Sequence, residues 1–157
     1  MSKIYVGGTF DLFHPGHIRL LKRAEQIGQV WVALNTDEFA AEYKRKPVMS
    51  YDERAEILYA CMYVTGVVQN TGGADSRPTI EKVSPKYIVH GDDWMGDSYL
   101  SQLGVTREWL HELDIALIYF PYTDGISTTV IEDRIKARQY QFSYTLATSS
   151  NTSSVAA

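Results

Sequence analysis

The sequence contains a single cysteine, Cys61, so no disulfide can form within the chain. Cys61 lies in the apolar run ILYACMYV, which predicts a buried, unreactive thiol. No run of 18 apolar residues is present, and the opening MSKIYVGGTF lacks the charged and apolar segments of a signal peptide. The sequence therefore predicts a cytoplasmic protein in a reducing setting.

An excess of positive charge is also missing. The 15 Lys and Arg residues against 19 Asp and Glu residues give a net charge of −4. This balance creates no overall field toward nucleic acid or an anionic membrane, so neither partner is expected. Any phosphate that the protein binds must meet a local basic site.

The 157 residues do contain an alternation of apolar, β-rich runs with segments of helical spacing. Five runs predict strands buried on both faces: 3–6, 30–34, 64–69, 86–90 and 115–120. Ser50 followed by Glu53 is a capping-box pattern, which predicts the start of a helix. Alternating strands and helices favour one doubly wound α/β domain with a parallel sheet.

Three stretches, 42–49, 71–78 and 92–104, lack a regular period and are predicted to be loops that can cover a ligand. The segment 145–157, TLATSSNTSSVAA, is small and polar, which predicts a disordered tail. The folded domain is therefore expected to span residues 1–144.

The densest group of functional residue types follows the first predicted strand, where positions 7–17 read GGTFDLFHPGH. Ligands bind at this edge of a doubly wound sheet, and glycines there let the backbone approach them. Gly16 leaves amide groups at the helix start accessible to phosphate oxygens. His14 and His17 can lie on one side of the first turn and donate to a phosphoryl group that gathers charge. A metal pair or two surface histidines are the alternatives.

A hydroxyl-rich turn follows the last predicted strand, where positions 122–129 read YTDGISTT. Ser127, Thr128 and Thr129 can cap the next helix and also offer hydroxyl and amide groups to an anion. A helix cap without a ligand is the alternative.

Two charged segments lie in predicted loops. Lys44, Arg45 and Lys46 follow the second strand, and GDDW at 91–94 follows the fourth. Either segment can be a solvated face. At the ligand-binding edge, however, an aspartate can accept from a nucleotide or hold Mg²⁺ through water.

Together these segments resemble the cytidylyltransferase family of HxGH nucleotidyltransferases. GTFDLFHPGH is similar to its first signature and GISTT to the end of its second, RTEGISTT. GDDW is similar to the glycerol-3-phosphate cytidylyltransferases and to a phosphonate-linked branch of the family. The resemblance covers residues 4–134 and implies a single Rossmann-like nucleotidyltransferase domain with a five-stranded parallel sheet and helices on both faces. Adenylyltransferases carry relatives of the first signature, so an ATP donor stays open on that motif alone.

The resemblance implies a site for CTP and Mg²⁺. The implied catalytic groups are His14, His17 and a loop lysine, Lys44 or Lys46. The implied nucleotide-binding residues are Gly8, Thr9, Phe10, Asp11, Gly16, Asp92, Asp93, Tyr122, Thr123, Gly125, Ile126, Ser127, Thr128 and Thr129. The acceptor is implied to meet Lys44, Arg77 and Trp94, and Asp93 is the expected metal ligand, through water.

The implied reaction is attack by an acceptor oxygen on the α-phosphorus of CTP, with release of pyrophosphate. Glycerol 3-phosphate, which would give CDP-glycerol, is the first acceptor. Tyr122 stands where the family signature has arginine, and Asp124 where it has glutamate. Tyrosine there is similar to a branch associated with phosphonates, so 2-aminoethylphosphonate is the second acceptor. Because tyrosine lacks the charge and fork of arginine, a non-catalytic nucleotide-binding homologue is a third hypothesis.

Relatives in this family are homodimers whose interface includes an RYVDEV-like segment. The corresponding segment here, 62–67, reads MYVTGV and lacks the arginine. The resemblance predicts a homodimer.

Overall fold

The computed structural model describes residues 1–43, 45–72, 75–93 and 95–151, without the side chains of Tyr43 and of residues 143–151. The chain forms two compact units, Met1–Asp124 and Gly125–Ala157. The first unit contains the sheet and six helices among the described residues, and the second contains one helix.

Five parallel strands form the sheet: β1 (Lys3–Gly8), β2 (Gln29–Asn35), β3 (Gly66–Asn70), β4 (Tyr87–Gly91) and β5 (Ala116–Phe120). Their order is β3-β2-β1-β4-β5, which confirms the predicted five-stranded parallel sheet. The order reverses direction between β1 and β4. The carboxyl ends of these two strands therefore frame the crevice where doubly wound sheets bind ligands.

The helices are α1 (Pro15–Glu25), α2 (Asp37–Tyr43), α3 (Tyr51–Ala60), α4 (Arg77–Val83), α5 (Asp97–Leu103), α6 (Arg107–Glu112) and, in the second unit, α7 (Thr128–Asn151). The capping-box pattern predicts the start of α3 correctly. The N–H of Ser50 donates to Glu53 Oε2 over 2.7 Å, and the N–H of Glu53 donates to Ser50 Oγ over 3.4 Å.

Apolar side chains bury both faces of the sheet, as predicted. Ile4 and Val6 of β1 pack with residues of α1 and α3, whereas Tyr5 between them packs with residues of α4, α5 and α6. Successive side chains of a strand point to opposite faces, and all three are fully buried. The continuous apolar run of this strand thus reflects helices on either side of it.

The segment 92–104 was predicted to be a loop, and that prediction was wrong in part because α5 lies within it. Tyr99, Leu100 and Leu103 of α5 are buried in the core. A helix of seven residues is too short for its apolar spacing to be distinguished in the sequence. Gly104 ends it in the left-handed conformation, with φ of 67°.

Helix α7 continues to Asn151, past the expected domain end at residue 144 and into the tail predicted to be disordered. The composition of the tail indicates that it has little apolar surface to bury. A helix can nevertheless continue where neither proline nor glycine interrupts it, and the segment 145–151 contains neither. Residues 152–157 lie outside the described residues.

Within the described ranges, none of the helices combines the length and the apolarity that crossing a membrane requires. The thiol of Cys61 is free and only partly buried, at the end of α3. It packs against the core cluster that contains Ile4 and Val6.

Candidate active site

His14 and His17 together cap the amino end of α1. The N–H of Gly16 donates to His14 Nδ1 over 3.1 Å, and the N–H of His14 donates to His17 Nδ1 over 3.3 Å. Two imidazoles thus take the roles that Ser or Thr and Glu or Gln have in a capping box. Their rings stack with centroids 3.7 Å apart, so the two predicted catalytic histidines lie side by side.

These capping bonds determine where each ring carries its hydrogen. A backbone N–H can only donate, so Nδ1 of each histidine must keep its lone pair, and the hydrogen of the neutral ring is on Nε2. Neither Nε2 donates to any of the residues that the structure describes. Both Nε2–H groups therefore remain as donors for a ligand.

Burial keeps both histidines neutral. The rings of Phe10 and Phe13 flank His17, with centroids 5.0 and 5.6 Å from its own. Burial lowers the pKa of His17 to about 3, with a further contribution from His14. Burial also lowers the pKa of His14. The neutral pair can therefore stabilise a bound anion by donating hydrogen bonds rather than by carrying a positive charge.

The lowered pKa of His17 predicts an acid-sensitive stability. The unfolded chain takes up this proton near pH 6.5, the folded chain only near pH 3, so the unfolded state binds more protons in between. The free energy of unfolding should therefore fall by about 1.4 kcal/mol per pH unit as the pH drops below 6. Urea denaturation at several pH values measures this slope. His17→Gln retains a capping-box residue without a titrating ring. An equal slope in that variant would contradict the prediction.

Asp11 joins the β1–α1 turn to the loop that carries the cations. Its Oδ2 accepts from the N–H of Val48 over 2.8 Å, and its Oδ1 accepts from the N–H groups of Met49 and Leu12 over 2.9 and 3.1 Å. The sequence predicts this aspartate as a nucleotide ligand. Asp11 is 8% exposed, and the structure shows its carboxylate bonded to backbone amides of the loop. Asp11 therefore fixes the end of the loop that follows Lys46.

Arg54 of α3 is a fully buried residue beside the site that was not identified from the sequence. Its guanidinium donates to four oxygens: Thr9 O and Asp37 Oδ1 at 2.6 Å, Asn35 O at 3.0 Å and Met49 O at 3.1 Å. These oxygens belong to the β1–α1 turn, the start of α2, the end of β2 and the loop before α3. One buried cation thus holds four segments of the site. The spacing of Arg54 four residues before buried Leu58 is the signal that places it on the apolar face.

The two candidate loop lysines differ in what the structure shows. Lys46 is exposed, and no described residue forms a hydrogen bond or an ion pair with it. Its ammonium group is therefore available to an anion. Lys44 lies outside the described residues.

Gly8 and Phe10 are predicted nucleotide-binding residues that contact each other. A Cβ added to Gly8 would lie 3.0 Å from the ring of Phe10, which itself adopts a left-handed φ of 52°. Such a conformation is strained for a residue with a side chain and is common at functional sites. Glycine at position 8 thus makes room for the ring of Phe10.

The acidic pair after β4 has partners within the protein. Asp92 Oδ1 accepts from the N–H of Tyr122 over 2.7 Å, which joins the ends of β4 and β5. Asp93 Oδ1 lies 3.9 Å from Nδ1 of His90. A Cβ on Gly91 would approach Asp93 Oδ1 to 2.7 Å, so a side chain at position 91 would displace that carboxylate. Gly91, Asp92 and Asp93 therefore lie at the carboxyl end of β4, one of the two strand ends that frame the crevice.

Of the three residues predicted to meet the acceptor, Arg77 lies within the described residues. Arg77 is exposed and forms a two-pronged ion pair with Asp75, with Nε to Oδ1 and Nη2 to Oδ2 both at 2.8 Å. Its guanidinium thus already has an acidic partner two residues before it in the chain. Trp94 lies outside the described residues.

In the second unit, the hydroxyl-rich turn begins α7. The N–H of Val130 donates to Ser127 Oγ over 3.1 Å, so Ser127 caps the helix as predicted. Gly125 has φ of 78°, and Ile126 is half-buried. Thr128 and Thr129 form the first turn. This helix start presents backbone amides of the kind that bind anions.

A Rossmann-like sheet with two neutral imidazole donors beside its switch point defines a nucleotidyltransferase of the α/β class. The chain belongs to the cytidylyltransferase-like family, whose model matches residues 5–134.

The chain is similar to enzymes with different activities. It is 37% identical over 136 residues to the glycerol-3-phosphate cytidylyltransferase of Bacillus subtilis, covering 86% of this chain and 98% of that one. It is 33% identical over 135 residues to the FAD synthase of Pyrococcus horikoshii, covering 85% of this chain and 91% of that one. A lipopolysaccharide core biosynthesis protein from Thermoplasma volcanium shares the fold, with a TM-score of 0.64 and 24% identity over 79% of this chain and 99% of that chain.

Proposed function

We propose that this protein transfers CMP from CTP to glycerol 3-phosphate, which forms CDP-glycerol and releases pyrophosphate. The similarity to the Bacillus subtilis enzyme carries the proposal, because it extends over nearly the whole length of that relative. The site is compatible with this chemistry, since its donors stand at the switch point of the sheet.

An oxygen of the acceptor phosphate attacks the α-phosphorus, while the bond from that phosphorus to the β-phosphate oxygen breaks. The attacking oxygen is already ionised at neutral pH, so no general base is required. The Nε2–H groups of His14 and His17 donate to the oxygens on which charge accumulates. Their low pKa values suit this role, because a neutral ring donates without exchanging a proton.

A loop lysine, Lys44 or Lys46, supplies positive charge to the phosphates in this proposal. Asp11 and Arg54 support it indirectly, since both hold the end of the loop at Met49. A closed loop would also align the acceptor with the α-phosphorus, which is the main source of rate in a direct displacement.

Mg²⁺ fits this site as an ion that the triphosphate carries. Among the described residues, no cluster of three His, Cys, Asp or Glu side chains is placed to hold a metal. Mg²⁺ commonly takes one protein carboxylate together with substrate phosphates and water, and the partly exposed Asp93 can supply such a contact. When bound, the ion neutralises charge on the phosphates.

The proposed assembly is a cytoplasmic homodimer. Tyr59 and Met62, at the end of α3 before the edge strand β3, are 65% and 84% exposed. A second copy of the chain would cover this apolar surface, in keeping with the interface segment of the family. A monomer in sedimentation equilibrium at micromolar concentration would contradict this part of the proposal.

Tyr122 favours a second acceptor, 2-aminoethylphosphonate. Tyr122 is 46% exposed and carries no charge where the family signature has arginine. An acceptor site without that cation can differ in the group that it selects. Because the chain is also similar to an FAD synthase, ATP is the alternative donor that the assay must test.

Pyrophosphate release with Mg²⁺ tests donor and acceptor together. We expect CTP with glycerol 3-phosphate to give pyrophosphate and CDP-glycerol, and ATP to give neither. Faster turnover with 2-aminoethylphosphonate than with glycerol 3-phosphate would make the phosphonate the acceptor. Turnover with ATP but not with CTP would overturn the assignment of CTP as the donor.

Two lysine variants distinguish an enzyme from a non-catalytic binder. Lys46→Ala should reduce pyrophosphate release if the loop acts in transfer, and Lys44→Ala is the companion variant. Lys82→Ala removes an exposed lysine of α4 and is the matched control. A protein that binds CTP but releases no pyrophosphate with any acceptor would be the non-catalytic homologue.

A further inference from the structure

A chain of buried polar side chains runs from α4 to the nucleotide turn. Thr79 Oγ1 donates to Asn70 Oδ1 over 3.3 Å, and Asn70 Nδ2 donates to Asn35 Oδ1 over 3.0 Å. Asn35 Nδ2 in turn donates to Thr9 Oγ1 over 3.2 Å. Asn35 and Asn70 are 3% and 2% exposed. We call these four residues the amide relay.

A backbone group sets the direction of the amide relay. The N–H of Gly72 donates to Asn70 Oδ1 over 3.4 Å, and a backbone N–H can only donate. The oxygen of Asn70 therefore faces Gly72, and its NH₂ group faces Asn35. Asn35 must then present its own oxygen to Asn70 and its NH₂ group to Thr9.

Because of this direction, the Thr9 hydroxyl accepts a hydrogen bond from the NH₂ group of Asn35. A hydroxyl has one hydrogen, so the hydrogen of Thr9 must point away from Asn35. In the part of the chain that the structure describes, no group accepts it. Thr9 is half-buried in the turn between β1 and the histidine pair, where a nucleotide phosphate would lie.

We propose that the amide relay holds the hydroxyl of Thr9 as a hydrogen-bond donor toward a phosphate of the nucleotide, with Asn35 and Asn70 as positioning residues. The inference rests on the proposed function, because the nucleotide supplies the anion. A hydroxyl that rotates freely presents either its hydrogen or a lone pair to a ligand, and a lone pair repels a phosphate oxygen. Donors oriented in advance avoid that cost.

Asn70→Asp tests the amide relay by reversing it. A carboxylate at this position still accepts from Gly72 and Thr79, and it accepts from Asn35 once that amide turns round. The oxygen of Asn35 then faces Thr9, so the Thr9 hydroxyl donates to Asn35 and no longer to the phosphate. Ser76 Oγ, which now lies 3.5 Å from Asn70 Nδ2, can donate to the carboxylate, so every buried group keeps a partner. Urea denaturation checks that the variant folds despite the buried charge. We expect its dissociation constant for CTP, measured by isothermal titration calorimetry, to rise about tenfold.

Gln69→Glu is the matched control for the added charge. Gln69 precedes Asn70 on β3 but is exposed, so the substitution introduces the same charge outside the amide relay. This variant should bind CTP as the wild type does. A comparable loss of affinity in Gln69→Glu would assign the effect to charge and contradict the proposal.

A double-mutant cycle shows whether the effect passes through Thr9. Thr9→Val should weaken CTP binding about tenfold, and adding Asn70→Asp to it should change affinity less than about twofold. Thr9→Ser retains a hydroxyl and should respond to Asn70→Asp as the wild type does. An equal loss from Asn70→Asp with and without the Thr9 hydroxyl would overturn the proposal.

The two proposals fail separately. If the wild type binds CTP or ATP without releasing pyrophosphate, the proposed function fails, and the cycle with the bound nucleotide still tests the amide relay. If the wild type turns over and Asn70→Asp binds the nucleotide equally well, the amide relay fails and the function stands.

Discussion

Replacing His14 with asparagine should lower kcat by about 10²- to 10³-fold and leave the protein folded. Asparagine is a preferred N-cap residue, so its side-chain oxygen can accept from Gly16 as Nδ1 of His14 does. It has no donor where Nε2–H of the imidazole lies, and the α-phosphate would lose that hydrogen bond. Pyrophosphate release measures the activity, and urea denaturation measures the free energy of unfolding.

His17→Gln is the companion variant, and His14→Ala is the control. Glutamine is a normal capping-box residue at the position of His17, so it should also separate activity from stability. His14→Ala removes both the donor and the cap, and should lower the free energy of unfolding by about a further 1 kcal/mol. Wild-type kcat in His14→Asn would show that the Nε2–H group does not act in transfer.

Arg54→Met should lower the free energy of unfolding by about 3 to 5 kcal/mol. The substitution leaves the carboxylate of Asp37 and three backbone carbonyls without the donor that now satisfies them. Unpaired buried polar groups cost far more than the methionine side chain recovers by packing. Since small domains are stable by about 5 to 15 kcal/mol, urea denaturation should show a large shift in midpoint.

Two further variants define what Arg54 contributes. Arg19→Met removes an exposed arginine from α1 and should change stability by less than about 0.5 kcal/mol. Arg54→Lys keeps the charge, but a single ammonium cannot reach the four oxygens that the guanidinium fork joins. Full stability in Arg54→Lys would mean that the charge, rather than the fork, is what the site requires.

The five strands were predictable because each is a short apolar run covered on both faces. The start of α3 was predictable because a capping box involves residues three positions apart. Helix α5 was not, because its burial depends on the packing of Tyr99 and Leu103 against distant strands. The spacing of the histidines indicates a pair, but only the capping bonds show which nitrogen donates.

The sequence by itself determined the class of fold, the place of the two histidines on one helical turn and the cap at Ser127. These features depend on residues close together in the chain, so local spacing and backbone geometry are sufficient for them. Only the tertiary structure decided the roles of Asp11 and Arg54. Asp11 meets amides 37 and 38 residues away, and Arg54 meets the carbonyl of Thr9 45 residues away. The partners of a buried charge depend on which strand ends the sheet brings together, and that adjacency is set by the order of the strands.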